Sequence, residues 1–200
     1  MNNGVKKCLI KLCCLLLFIF VFQTEFAYAV KIVAVVNDDV VTDVDVNDFE
    51  SSLCKLDKRF KCGSQNSRQM ALISLVESVL KMEHFKQMQI INDKQLNSGY
   101  SEYRNSVLKS LNIPAGNISK SFEDYLHTEY LWNVMTASQA QQTDITDDDV
   151  EKFISKQGNI VKNKSKDQIK QLILQEKVND ISQSTMSELK KFYLVDIKGL

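Results

Sequence analysis

The side chains suited to acid–base, nucleophilic or metal chemistry are few and scattered along this 200-residue chain. His84 and His127 are its only histidines, and neither has a cysteine nucleophile or a Gly-x-Ser-x-Gly motif nearby. The acidic run Asp147-Asp148-Asp149 fits the start of a helix, where the dipole favours negative charge, better than a metal site. No calcium loop, phosphate-binding loop or dinucleotide motif occurs. We therefore expect no catalytic site, no metal and no cofactor.

Two of the five cysteines, Cys54 and Cys62, lie well beyond the N-terminal segment that holds the other three. Their eight-residue separation differs from that of a Cys-x-x-Cys redox pair, and no nearby histidine or second cysteine pair completes a zinc site. The sequence leaves a structural disulfide and a pair of buried free thiols equally open.

The first 29 residues have the pattern of a secretory signal peptide. Three lysines precede an uncharged apolar run over 12–22, and Ala27-Tyr28-Ala29 follows. A membrane anchor is the weaker alternative because a spanning helix needs about 20 apolar residues. A lipoprotein is disfavoured because Cys13 and Cys14 lack small residues just before them. We expect residues 1–29 to be removed and the mature chain to be periplasmic, without stable membrane insertion.

The composition of the remaining chain favours a helical protein. Loss of residues 1–29 removes three lysines and one glutamate, leaving 22 basic and 24 acidic residues. This balance gives no strong attraction to nucleic acid. A hydrophobic content of 44% can build a core, and six glycines with a single proline provide few turn signals. We expect a mainly α fold.

Local patterns predict where the elements lie. Strands are expected at 31–36 and 40–42, joined by a tight turn at Asn37-Asp38. Thr42 would cap a helix over 43–59 that buries four apolar residues, Val44, Val46, Phe49 and Leu53. Further helices are predicted after Asn66-Ser67, over 93–110 with a weak point at Ser98-Gly99, over 118–140, from Thr146, and over 166–190.

The chain ends with a predicted strand within 192–197, where apolar and β-branched residues crowd together. A lone strand must pair, and the only other predicted strands form the N-terminal hairpin. We therefore expect both ends of the mature chain to meet in a small sheet. The expected organisation is one domain over 30–200, made of a helical module (30–155), a connector (156–166) and a C-terminal helix and strand (167–200).

Four segments resemble the SurA family of periplasmic chaperones. They are KIVAVVNDDVVTDVDV at 31–46, ALISLVESVLKMEHFKQMQIIND at 71–93, DITDDDVEKF at 144–153 and QIKQLILQEKVNDISQSTMSELKKFYLVDI at 168–197. Their order, together with the secretion signal, carries the resemblance. Family members usually have one or two parvulin-type isomerase domains before the C-terminal helix. Here only residues 156–166 fill that place, so isomerase activity is not expected.

The resemblance implies an ATP-independent holding chaperone for unfolded outer-membrane or secreted polypeptides, with the outer-membrane assembly machinery as a further partner. In the helix after Asn66-Ser67, the apolar stripe swings round at about 100° per residue and offers a second apolar surface. That surface would serve either internal packing or client binding. The candidate client-binding side chains are Met82, Phe85, Met88, Tyr125, Tyr130, Trp132 and Met135.

Other hypotheses stay open at this level. One is an envelope adaptor that uses the same helices to bind a single folded partner. Another is an isomerase-family protein without activity of its own. The short connector also makes exchange of the C-terminal helix between two chains conceivable.

Overall fold

The computed structural model describes residues 30–56, 61–91, 94–114, 116, 118–158, 161 and 163–198. The signal-peptide prediction for 1–29 lies outside these residues, as does the end of the helix predicted over 43–59. The elements are β1 (Ile32–Val36), β2 (Asp39–Thr42), α1 (Asp43–Leu56), α2 (Gln65–Gln87), α3 (Lys94–Asn97), α4 (Tyr100–Ser110), α5 (Lys120–Gln141), α6 (Asp147–Gln157), α7 (Lys166–Phe192) and β3 (Val195–Ile197).

The predicted fold class, mainly α with a small sheet from the N-terminal hairpin and the C-terminal strand, is confirmed. The sheet is antiparallel with strand order β2-β1-β3. Asn37 takes a positive φ of 51° in the turn between β1 and β2, as tight hairpin turns require. The N–H of Asn37 donates to the carbonyl oxygen of Leu194 at 3.0 Å, and the N–H of Lys198 donates to that of Val33 at 2.9 Å. The N-terminal hairpin and the C-terminal strand therefore meet as predicted.

The main core lies between the sheet and helices α1, α2 and α5. Its largest fully buried side chains are Phe49, Phe85, Phe122, Leu80, Leu131, Val33, Val36 and Val46. Helix α1 buries Val46 and Phe49 as predicted and Leu53 in part. The burial predicted for Val44 is wrong, since this side chain is 46% exposed. Val44 precedes Val46 by two residues, which places it about 200° away around the helix.

The helix predicted over 93–110 is two helices, α3 and α4, separated at Ser98-Gly99. The break falls at the predicted weak point. A Cβ atom on residue 99 would lie 2.6 Å from Oη of Tyr130 in α5. Glycine therefore lets the chain turn at this place while α5 packs closely against it.

Helices α6 and α7 form a hairpin with a small core of its own. Its buried side chains are Val150, Val161, Ile169 and Ile173. Thr146 and Asp149 form a capping box at the start of α6, which confirms the predicted helix start, and Ser165 caps α7 in the same way. The C-terminal half of α7 packs on α2 and α5 of its own chain.

Candidate functional site

The seven predicted client-binding side chains do not form one surface. Three of them are buried, three are half-buried and one is 44% exposed; in that order they are Phe85, Trp132 and Met135, then Met82, Tyr125 and Tyr130, then Met88. The swing of the apolar stripe in α2 therefore serves internal packing at Phe85, and only its last member faces solvent. A role of these side chains in client binding stays a prediction.

Trp132 illustrates why most of this set is internal. Its indole N–H donates to Oγ of Ser182 at 2.7 Å, and the Phe85 ring lies 6.1 Å from it, centroid to centroid. The Lys81 ammonium lies 5.2 Å from the indole centroid and is also paired with Glu129. These contacts join α2, α5 and α7 through one aromatic side chain, so Trp132 holds the three helices together.

Tyr125 packs within a cluster of aromatic rings. The Phe49 ring lies 4.8 Å from it and the Phe122 ring 6.2 Å. Burial raises the pKa of the Tyr125 hydroxyl above its ordinary value, so the phenol stays neutral at all physiological pH values. Tyr125 is therefore a half-buried residue packed against the main core.

Cys54 and Cys62 are joined by a disulfide, with their Cα atoms 5.8 Å apart. This is the structural alternative of the two that the sequence left open. Glu50 stabilises the same connection, since its carboxylate accepts hydrogen bonds from the Gly63 N–H at 2.8 Å and from the Ser67 hydroxyl. The disulfide thus fastens α1 to the start of α2 and is not part of a redox motif.

The polar groups on α5 are engaged in holding α3 and α4. His127 Nε2 is hydrogen-bonded to Asn97 Oδ1, and burial lowers the pKa of His127. Glu123 accepts hydrogen bonds from the Tyr100 hydroxyl at 2.6 Å and from Arg104 Nε at 2.8 Å. Burial acts to raise the pKa of Glu123, but the two hydrogen bonds together lower it below its ordinary value. These contacts give the polar groups of α5 a structural role.

The described residues contain neither a candidate metal cluster nor a candidate membrane span. No group of three or more His, Cys, Asp or Glu side chains among them could hold a metal ion. None of their helices combines the length and apolar character of a membrane span.

A cavity of about 600 Å³ opens between α2 and α7. It is lined by Glu77, Lys81, Ser182, Gln183, Met186, Ser187, Lys190 and Lys191. Lys81 is paired with Glu129, and Lys190 is paired with Glu77 at 2.6 Å. Met186 is the one apolar residue of this lining, and four of the polar ones, Glu77, Lys81, Ser182 and Lys190, have partners.

The most exposed large apolar side chains among the described residues lie at the junction of α7 and β3. Phe192 is 75% exposed and Leu194 is 77% exposed, whereas Tyr193 between them is buried. Tyr193 has extended backbone angles, and successive side chains of an extended chain point to opposite sides. Inward packing of Tyr193 therefore turns Leu194 outward.

Leu194 has apolar neighbours on the solvent face of the sheet. Val35 of β1 lies opposite both Val40 of β2 and Asp196 of β3, so these three side chains share one face. Val35 is half-buried and Val40 is 47% exposed. We use the name outer sheet surface for Val35, Val40 and Leu194 together with the exposed Phe192, the last residue of α7.

The outer sheet surface borders an open strand edge. Leu194 and Lys198 direct their backbone groups at β1, so the alternation of an antiparallel ladder directs those of Val195 and Ile197 away from it. Among the described strands β3 pairs with β1 alone, so the backbone groups of Val195 and Ile197 face an edge without a partner strand. The opposite edge of the sheet is formed by β2. It is better closed, because the N–H of Thr42 donates to Asp45 Oδ2 at 3.0 Å.

Sequence reasoning located β3 and its pairing but missed this surface. The segment 192–197 does not alternate between apolar and polar residues, so its pattern does not say which side chains face the core. The burial of Tyr193 decides that, and it depends on contacts with the distant main core.

No protein-family model matches the chain, and no curated protein matches it significantly. Its function is therefore inferred from the geometry described above and from the resemblance carried by its four segments.

Proposed function

We propose that the mature chain is an ATP-independent holding chaperone of the periplasm that binds unfolded outer-membrane or secreted polypeptides. The observation that carries this proposal is the outer sheet surface. Phe192 and Leu194 are about three-quarters exposed beside a strand edge with unused hydrogen-bonding groups. Clustered exposed apolar side chains on a folded protein are typical of interaction sites.

The physical chemistry of the surface suits an unfolded client. Strands of outer-membrane barrels alternate apolar and polar residues, so an unfolded strand offers apolar side chains on one side and a free backbone. Burial of apolar surface yields about 25 cal/mol per Å², and an area of a few hundred Å² gives weak, reversible binding. Reversible holding of this kind needs no ATP.

A dedicated partner, such as the outer-membrane assembly machinery, would use the same surface in a different way. An adaptor of that kind would bind one folded partner saturably and would not protect diverse unfolded proteins. Protection of several unrelated unfolded clients therefore separates the chaperone proposal from the adaptor hypothesis.

The test uses residues 30–200 and an outer-membrane barrel protein diluted from urea, without ATP. Rising chaperone concentration should suppress light scattering by the aggregating client. The double variant Phe192→Ser with Leu194→Ser should lose most of this suppression. The matched control is Ile154→Ser with Leu172→Ser, which removes two exposed apolar side chains from α6 and α7.

Circular dichroism should show that both variants are folded. A folded wild-type chain that suppresses no aggregation would contradict the proposed function. Equal loss in the two double variants would contradict the assignment to the outer sheet surface. A proline-isomerisation assay run in parallel should give only the background rate.

A further inference from the structure

We infer that the client is held as an added β-strand, hydrogen-bonded antiparallel to β3 at its open edge. This inference rests on the proposed function and names the form in which the client binds. Val195 and Ile197 each direct one N–H and one C=O to that edge. The two residues are two positions apart, and a strand rises about 3.4 Å per residue, so the open groups repeat about every 6.8 Å.

An extended polypeptide is the ligand that matches this repeat. Its own backbone offers a donor and an acceptor on one side at every second residue. A helical client would already have satisfied these groups internally, and a side chain could fill only one of them. The unfolded state that exposes free backbone groups is therefore the state that the edge recognises.

The side chains on the solvent face of β3 add a preference for sequence. Leu194, Asp196 and Lys198 are exposed and alternate with the edge-directed residues. Neither Asp196 nor Lys198 forms an ion pair with a described residue. Opposite charges that face each other across strands attract, and like charges repel.

Because the client strand runs antiparallel to β3, the exposed side chains of Leu194, Asp196 and Lys198 specify an order of residues in the client. The client residue opposite Lys198 comes first, followed at alternate positions by those opposite Asp196 and Leu194. The preferred segment therefore carries an acidic, a basic and an apolar residue at its first, third and fifth positions.

The first experiment removes one hydrogen bond at the edge. Its control loses the same side-chain contacts but keeps that hydrogen bond. Ile197→Pro deletes an N–H that the structure directs to the open edge, and proline is tolerated at such positions. Ile197→Ala is the control, because it shortens the same side chain and keeps the N–H. The client segment should bind Ile197→Pro at least about tenfold more weakly than Ile197→Ala. Equal affinities for the two variants would overturn the inference.

N-methylated peptides test the same bond on the unaltered protein, which covers the case in which Ile197→Pro does not fold. The probe is a labelled peptide Thr-Glu-Thr-Lys-Thr-Phe-Thr. Methylation of the N–H groups of its third and fifth residues, which face Ile197 and Val195 at the edge, should abolish binding measured by fluorescence anisotropy. Methylation at the charged residues should have little effect. The opposite pattern, or no difference, would overturn the antiparallel strand.

The second experiment tests the sequence preference. Exchange of Glu and Lys in the probe keeps its composition and should weaken binding about five- to tenfold. The double variant Asp196→Lys with Lys198→Asp should reverse the preference. An unchanged preference in that variant would overturn the assignment of the two charges. A stable dimer of the chain that Ile197→Pro dissociates would put a second copy on the edge and would also overturn the inference.

The inference and the proposed function fail in different ways. A chain that binds the probe as described but suppresses no aggregation would contradict only the function. If wild type, Ile197→Pro and Ile197→Ala all suppress aggregation equally well, that result would contradict only the added strand.

Discussion

Helix α7 takes part in two cores that differ in kind. Its C-terminal half packs Leu189 into the main core, which contains several fully buried aromatic rings. Its N-terminal half packs Ile169 and Ile173 into a small core whose other buried side chains, among the described residues, are Val150 and Val161.

At about 100° per residue, Ile173 and Leu189 lie about 160° apart around α7, so nearly opposite faces of one helix serve the two cores. The hairpin compensates for its small core with capping boxes and with surface ion pairs, Lys156–Glu176 at 2.8 Å and Lys166–Asp147 at 2.7 Å. Surface ion pairs contribute little each, about 0–1 kcal/mol. The difference teaches that helix length does not measure stability: we expect the hairpin to open locally while the main core stays folded.

Phe49→Ala should have the largest effect, since Phe49 is fully buried among Phe122 and Tyr125. Loss of the ring and the cavity left behind should lower the free energy of unfolding by about 3–5 kcal/mol. Urea unfolding followed by circular dichroism measures this. A loss below about 1 kcal/mol would mean that the main core does not dominate stability.

Ile173→Ala should cost less and should act locally. We expect a loss of about 2 kcal/mol, at the low end for such changes because the small core can collapse around the gap. Amide hydrogen exchange should accelerate in α6 and the first half of α7, and stay unchanged in α2. Leu172→Ala, at the exposed neighbouring residue, is the control and should change stability by less than about 0.5 kcal/mol. Acceleration throughout the chain would contradict independent opening of the hairpin.

Thr146→Ala removes the side chain that accepts the Asp149 N–H at 3.2 Å at the start of α6. The cost should be about 1 kcal/mol, again confined to amide exchange in the hairpin. Ser187→Ala in α7 is a matched loss of a hydroxyl without a cap and should be neutral or slightly stabilising. Equal effects of the two substitutions would show that the cap is not a source of hairpin stability.

The smallest effect should come from pH, and it should separate the two regions. Both histidines belong to the main region, and burial lowers the pKa of His84 and of His127 from 6.5. Because the folded state binds protons less readily, the stability of this region is complete above pH 6.5 and falls as the pH drops toward the lowered values. Unfolding curves at several pH values should show this loss, and it should vanish in His84→Gln with His127→Gln.

The hairpin should respond only in more acidic solution. A hydrogen bond from Lys166 lowers the pKa of Asp147, and hydrogen bonds from Thr146 lower that of Asp149, both from 3.8. Their contribution is present above pH 3.8 and is lost as the pH falls through the lowered values. Amide exchange in α6 that accelerates between pH 6.5 and 5 would contradict this separation.

Much of the fold was predictable because its signals are local. Thr42 and Thr146 begin helices where their side chains accept N–H groups three residues ahead, and Asn37 turns the hairpin. The pairing of β3 with the hairpin was predictable for a different reason: a strand needs a partner, and the chain offered only one.

The candidate site was less predictable because burial depends on distant contacts. Periodicity placed Phe85, Trp132 and Met135 on apolar faces, but an apolar face looks the same in sequence whether another helix or a client covers it. The error at Val44 has a similar origin, since a β-branched residue beside two buried ones gives no sign of which helix face turns inward.

Local chemistry along the chain thus sets where helices and strands begin and end, because caps, turns and periodicity act over a few residues. Long-range packing sets what each surface is for. Tyr193 enters the main core, so Leu194 faces solvent, and β1 binds only one side of β3, so the other edge stays open. These outcomes required residues about 160 positions apart to meet, which no local pattern encodes.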